Sequence, residues 1–600
     1  MERKGLFMKK RNEAAVEDTW KLEDILESDE AWEALFAEEK EEITRYARFK
    51  GHLGESADTL YACLCFDEEC SQKVEKLYVY ARMRLDQDTG NQKYQEMFGR
   101  AQSLSCSAAE QSSYLAPEIL EIREDRLNEF LGSGNGIERF ARMLEQILAK
   151  KPHTLSGEME ELLAQSQEAM QGASQIFTMF NNADIQFPTI LDSEGNETAI
   201  THGNYISLLE SSDRRVRREA FQGLYQVYRQ FKNTVAAMYS AQVKQAVYYA
   251  KVRHYPSSRA HSLAENEVLE SVYDNLVSAV RRHLPLLHRY VSIRKKALGL
   301  SELHFYDLYT PMVEGVQKKY SFDEAKAMVL EGLAPLGEEY QNLLKEGFSH
   351  RWIDVYENEG KRSGAYSWGT YGTHPYVLLN YHGTLDHVFT LAHEMGHAIH
   401  TYYSDKNQPY TYAGYRIFVA EVASTCNEAL LIRHLMKKTT DKTERKYLIN
   451  HFLESFRGTL FRQTMFAEFE AMAHRKAERG EPLTAKELCG MYRQLNVDYF
   501  GPEMTVDEEI ETEWERIPHF YTPFYVYQYA TGFSAAIAIS SKIAQGDESV
   551  LAGYRQFLSS GCVLPPVELL KLAGVDMSTA RPVETALHVF EELLDEFSSL

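Results

Sequence analysis

The run His393-Glu394-Met395-Gly396-His397 constrains this chain more than any other. Two histidines four residues apart on a helix stand one turn apart on one face, where their imidazoles can share an ion. Glu394 then projects roughly 100° around the helix from His393, beside the metal axis, which suits a base acting on water and not a ligand. At the same spacing, His397, His400, Asp386 and Thr390 fall within about 60° of His393, while Val388, Leu391, Met395 and Ile399 crowd the opposite side. The pattern predicts a helix with a polar stripe facing a zinc site and an apolar back set into a core.

Hydrolytic zinc sites take three protein groups and leave a position for water. Beyond His397 the nearest acid is Asp405, and residues 406–420 contain neither Asp nor Glu. Glu421 follows, in a stretch with helical apolar spacing (Phe418, Val419, Val422, Ala423), and Ser424, Thr425 and Glu428 share its face at i+3, i+4 and i+7. The expected ligands are therefore His393, His397 and Glu421. An HExxHxxGxxH arrangement is excluded, because positions 400 and 403 carry His400 and Tyr403.

Composition bounds the rest. A chain of 600 residues that is 44% hydrophobic can bury a large core. A formal net charge of -23 argues against nucleic acid, whose phosphates need a basic footprint. The sequence has no apolar run of membrane-spanning length, and residues 1–11 are basic without the apolar segment of a secretory signal. Seven cysteines, an odd number scattered from Cys63 to Cys562, point to a reducing, cytoplasmic compartment. Cys63, Cys65 and Cys70 have no histidine nearby and read as buried thiols, not a second metal site.

Amphipathic helices are expected over residues 31–49 and 155–180. A hairpin is expected around residues 185–200, with its turn at Asp192-Ser193-Glu194-Gly195-Asn196. That hairpin marks a seam between an N-terminal helical region, 1–190, and a catalytic zinc peptidase domain, 191–600. Strands at 352–356 and 376–380 flank a loop containing Gly360, Gly364, Gly369 and Gly372, just ahead of the zinc helix. An edge strand there either pairs with an extended peptide or braces the site, and the two roles are compatible. Thr522-Pro523 reads as a helix N-cap and first turn, which would put Tyr525 and Tyr529 on one helix face.

Further stretches extend the pattern: Trp20-Lys21-Leu22-Glu23-Asp24-Ile25, Gly360-Lys361-Arg362-Ser363-Gly364-Ala365-Tyr366, Pro375-Tyr376-Val377-Leu378-Leu379-Asn380, and His519-Phe520-Tyr521 with Tyr525-Val526-Tyr527-Gln528-Tyr529. With the zinc motif they make the chain resemble the thimet-type zinc oligopeptidases, and within them the oligoendopeptidase F branch, over nearly its whole length. The resemblance implies a mostly α fold: a large helical zincin-type metallopeptidase body, a small β-sheet beside the active-site helix and a deep substrate channel. It also implies that a histidine and tyrosines near residues 519–529 reach the substrate and stabilise the oxyanion, here His519 with Tyr525 or Tyr529.

The expected activity is cytoplasmic endopeptidase cleavage of oligopeptides with one Zn2+ per chain and Glu394 as general base. Glu428 is the first choice for orienting an imidazole ligand, and Asp386 a weaker one. The alternatives are an exopeptidase of the same zinc architecture, such as a carboxypeptidase, and a non-catalytic helical peptide-binding protein. No membrane or nucleic-acid partner is expected.

Overall fold

The computed structural model describes residues 9–313 and 318–600, apart from the side chain of Glu168, so the basic opening falls outside the described residues as far as Met8. The fold is mostly helical with small sheets, as expected. Its contacts divide the chain into two compact units, one of residues 1–152, 318–431 and 540–565, the other of residues 153–317, 432–539 and 566–600. Among the described residues no helix is long and apolar enough to cross a membrane.

Seven short strands are described: β1 (Thr189–Leu191), β2 (Glu197–Ala199), β3 (Leu303–His304), β4 (Ile353–Asp354), β5 (Tyr366–Trp368), β6 (Tyr376–Leu378) and β7 (Met504–Thr505). The expected hairpin is β1 antiparallel to β2. Its turn is closed by Asp192 Oδ1, which accepts the backbone N–H groups of Glu194 and Asn196 at 2.8 Å each. Both belong to the second unit, as does the 39-residue helix Arg214–Val252. Asp213 caps that helix through Arg215 N–H, and the left-handed His254, at φ +61°, ends it.

In the first unit, the helix Leu385–Asn407 carries the zinc motif. Thr384 caps it by accepting the His387 N–H. Val388, Leu391, Met395 and Ile399 are all buried, the apolar back that the periodicity predicts. Beside it lies a three-stranded sheet in the order β4-β6-β5, with β4 parallel and β5 antiparallel to a fully buried central β6.

The sheet corrects one sequence reading. Residues 376–378 form the centre of the sheet, and the edge strand β5 arises inside the Gly-rich loop, where only coil was expected. On the far side, the backbone bonds Val355 N–H to Asp18 and Lys21 N–H to Arg351, both 2.9 Å, cover the β4 edge. Among the described residues no backbone bond is made to the outer edge of β5.

Residues 20–25 and 360–366 pack around the sheet. Asp354, 1% exposed, is neutralised by Arg11 and by Lys361 Nζ at 2.7 Å. Gly360 takes φ +78°, and a Cβ there would meet the Asp88 carboxylate. Trp20 is buried edge-on against Tyr376, whose hydroxyl donates to the Lys21 carbonyl at 3.1 Å.

Candidate metal centre

A second helix, Ile417–Lys438, lies against the motif helix. The approach is set by Gly396: a Cβ there would sit 2.6 Å from Ser424 Cα, 2.8 Å from its N and 2.9 Å from the Ala423 carbonyl. Asn427 locks the pair, donating from Nδ2 to the Ala392 carbonyl at 3.0 Å while accepting the Tyr340 hydroxyl at 2.9 Å.

Because the backbones touch, the facing side chains converge. His393 Nε2 and His397 Nε2 are 3.2 Å apart, and Glu421 Oε2 lies 3.3 Å and 3.5 Å from them. Three donors each about 2.0–2.1 Å from one tetrahedral ion would stand roughly 3.3 Å apart, so the three atoms have the spacing that zinc requires. Among the described residues this is the one group of three or more such donors that converges so closely.

The surroundings favour a cation. Glu428 Oε1 is 3.3 Å from His393 Nδ1, where a carboxylate can accept the ring N–H and leave Nε2 facing the other two donors. Ser424 Oγ donates to Glu421 Oε2 at 3.0 Å and fixes that carboxylate. Burial pushes Glu421 up, but His393 and His397 outweigh it and hold the carboxyl well below its usual range. Glu394 is 7% exposed and stands outside the donor group. Burial raises its pKa, with the nearby imidazoles opposing.

Two residues of the polar stripe do other work. His400 is buried flat against Tyr415, ring centroids 3.8 Å apart, and burial drives its pKa down to about 3. Asp386 is exposed in the first turn of the helix, where a carboxylate meets the positive end of the helix dipole.

The second unit brings His519, Tyr525 and Tyr529 together. His519 Nε2 and the Tyr529 hydroxyl are 3.3 Å apart, and the tyrosine rings pack edge-on at 5.5 Å. Burial lowers the His519 pKa below the ordinary imidazole value.

The expected helix start at Thr522-Pro523 is corrected here: the helix begins at Tyr527, and Tyr525 precedes it. The cause is Phe524, buried in the left-handed region at φ +55°, whose N–H donates to Glu470 Oε1 at 2.7 Å. Glu470 was not anticipated. Its one sequence signal is an acid with Phe466, Ala467 and Ala473 as its i−4, i−3 and i+3 neighbours.

The family model described as peptidase family M3 matches residues 207–589. The chain belongs to peptidase family M3. A second model, oligopeptidase F, matches residues 118–187, so the branch expected from the motifs is the one found. Oligopeptidase PepF of Bacillus subtilis (strain 168) is 50% identical over 599 residues, covering 100% of this chain and 89% of its own. Group B oligopeptidase PepB of Streptococcus agalactiae serotype III (strain NEM316) is 42% identical over 581 residues, covering 97% and 96%. The crystal structure of oligoendopeptidase-F from Enterococcus faecium superposes with a TM-score of 0.76 at 40% identity, covering 95% of this chain and 99% of that one. The protein is thus an enzyme, a metallo-oligopeptidase of this family.

Proposed function

We propose that the enzyme hydrolyses internal peptide bonds of oligopeptides with one zinc ion per chain, held by His393, His397 and Glu421. The observation that carries this reading is the 3.2–3.5 Å spacing of the three donor atoms beside a buried Glu394. A zinc ion held there would supply Lewis acidity for the scissile carbonyl and for a water.

Glu394 takes the proton from the attacking water and delivers it to the leaving amine, a task that its raised pKa supports. Glu428 holds the His393 proton on Nδ1, leaving Nε2 free to ligate. His519, Tyr525 and Tyr529 are the donors proposed for the oxyanion. The open edge of β5 supports pairing with the backbone of an extended peptide, which binds with little demand on side chains. The oligopeptide substrate class is supported by the names of the relatives. Seven cysteines, none of them in a disulfide among the described residues, support a cytoplasmic setting.

The test is a quenched peptide blocked at both ends, assayed alongside metal analysis with and without chelator. One zinc per chain, cleavage of the blocked peptide, loss of activity on chelation and recovery with zinc are expected. A blocked peptide left intact, while its free-carboxylate counterpart is trimmed from the end, would make the enzyme a carboxypeptidase instead.

A further inference from the structure

The second unit contains a cavity far less neutral than its surroundings. It is lined by Arg457, Arg462, Arg516, Tyr309, Tyr225 and Glu513 among apolar side chains, with about 20 Å³ open to the centre of a water-sized sphere. The three arginines are largely buried.

Local backbone geometry puts two of them together. Residues Phe456–Phe461 form a π-helical turn leading into the helix Arg462–Glu478. Its i→i+5 widening brings residues five apart toward one face, whereas in a continuous α-helix Arg457 and Arg462 would stand roughly 140° apart.

The charges around the cavity do not balance. Arg457 and the fully buried Arg294 share Glu454, at 2.8 Å each. Arg462 and Arg516 share Glu513, at 2.6 Å and 3.4 Å. Four guanidiniums thus face two carboxylates, and a guanidinium does not shed its proton. Burying such a surplus is strongly unfavourable unless an anion offsets it.

Tyr309 registers the field. Burial pushes its phenol up, yet Arg462 and Arg457 outweigh burial and hold it below its ordinary value. The Tyr309 hydroxyl accepts from Arg462 at 3.0 Å, and its ring lies under the Arg457 guanidinium, 4.8 Å from the centroid.

We infer that this cavity is a binding site for one small monovalent anion, chloride, held by Arg457, Arg462, Arg516 and the Tyr309 hydroxyl. The space takes a single water-sized occupant and has no room for a carboxylate with a chain attached. Water is the competing occupant, since Asn496, also on the lining, has a buried Oδ1 with no partner. The inference is independent of the zinc site.

The test uses the whole enzyme exchanged into gluconate, with chloride or bromide titrated in at constant ionic strength and the thermal midpoint as readout. Crystals grown in bromide supply anomalous diffraction. A saturable rise with chloride and bromide and a bromine peak in the cavity are expected. Tyr309→Phe keeps the ring and removes one donor, so the chloride concentration for half-maximal effect should rise roughly tenfold. A midpoint insensitive to exchange of gluconate for halide, water density without a bromine signal, or an unchanged halide midpoint in Tyr309→Phe would overturn the assignment.

Discussion

Gly396→Ala tests whether the metal centre depends on the touching backbones of its two helices. The new Cβ would lie 2.6–2.9 Å from Ser424 Cα, Ser424 N and the Ala423 carbonyl, all backbone, so no rotamer change relieves it. Ordinary contact needs about 3.5–4.0 Å, so the helices must separate by roughly 1 Å. His393 and His397 ride on one helix and Glu421 on the other, so the displacement goes directly into their 3.3 Å and 3.5 Å separations. Metal–ligand distances tolerate only about ±0.2 Å, and zinc affinity should fall by at least 10²-fold.

Stability gives a second reading of opposite sign. Alanine replacing glycine in a helix interior ordinarily stabilises by about 1 kcal/mol, whereas overpacking costs about 1–3 kcal/mol. The metal-free variant should therefore lose up to about 2 kcal/mol in urea denaturation. Gly490→Ala is the control: its helix position is exposed with nothing within 4 Å of the added carbon, and it should be slightly stabilised. Parent-like zinc affinity, measured by chelator competition, together with a stabilised Gly396→Ala protein, would refute the argument.

Glu428→Gln keeps the shape but weakens the hold on His393, so zinc affinity should fall about 10–100-fold while saturating zinc still fills the site; unchanged affinity would return Glu428 to a surface role. Glu470 is pushed from 4.5 up to about 8 by burial, so its folded form keeps a proton that the unfolded chain releases. Its contribution to stability is complete below about pH 4.5 and lost as pH rises through about 8, so Glu470→Gln should gain on the parent across that window. Parallel stability curves from urea melts at several pH values would count against this. Tyr525→Phe and Tyr529→Phe should differ in steady-state kinetics, the oxyanion donor losing about 10²–10³ in kcat and the other far less; parent-like kcat in both would remove the tyrosines from the mechanism.

Much of the first unit's site was legible in the sequence because helical periodicity is a local property. The polar stripe, the buried Val388-Leu391-Met395-Ile399 back and the i+7 relation of Glu428 to Glu421 follow from spacing alone, and the helices keep them. The tertiary devices were not legible. Gly396 looks like a helix weakness until Ser424 is seen against it, and Asn427 gives no sign that it bridges Ala392 and Tyr340. Thr522-Pro523 carries a genuine local start signal, but a bond from Phe524 to Glu470, far away in sequence, overrides it. Strand β5 was missed because three residues in a Gly-rich loop carry too little periodicity to register.

The central claim, that Glu394 handles the proton beside a metal it does not bind, is tested most directly by Glu394→Gln. Zinc content and peptide cleavage should be measured on the same preparation. Glutamine fills the same volume, leaves His393, His397 and Glu421 in place and removes only the basic oxygen. Zinc at the parent level with cleavage reduced about 10⁴-fold or more is predicted, since general-base removal costs about 10²–10⁴ and this residue serves both proton transfers. Loss of zinc would make Glu394 a ligand, and retention of more than roughly a tenth of the parent rate would show that another group is the base.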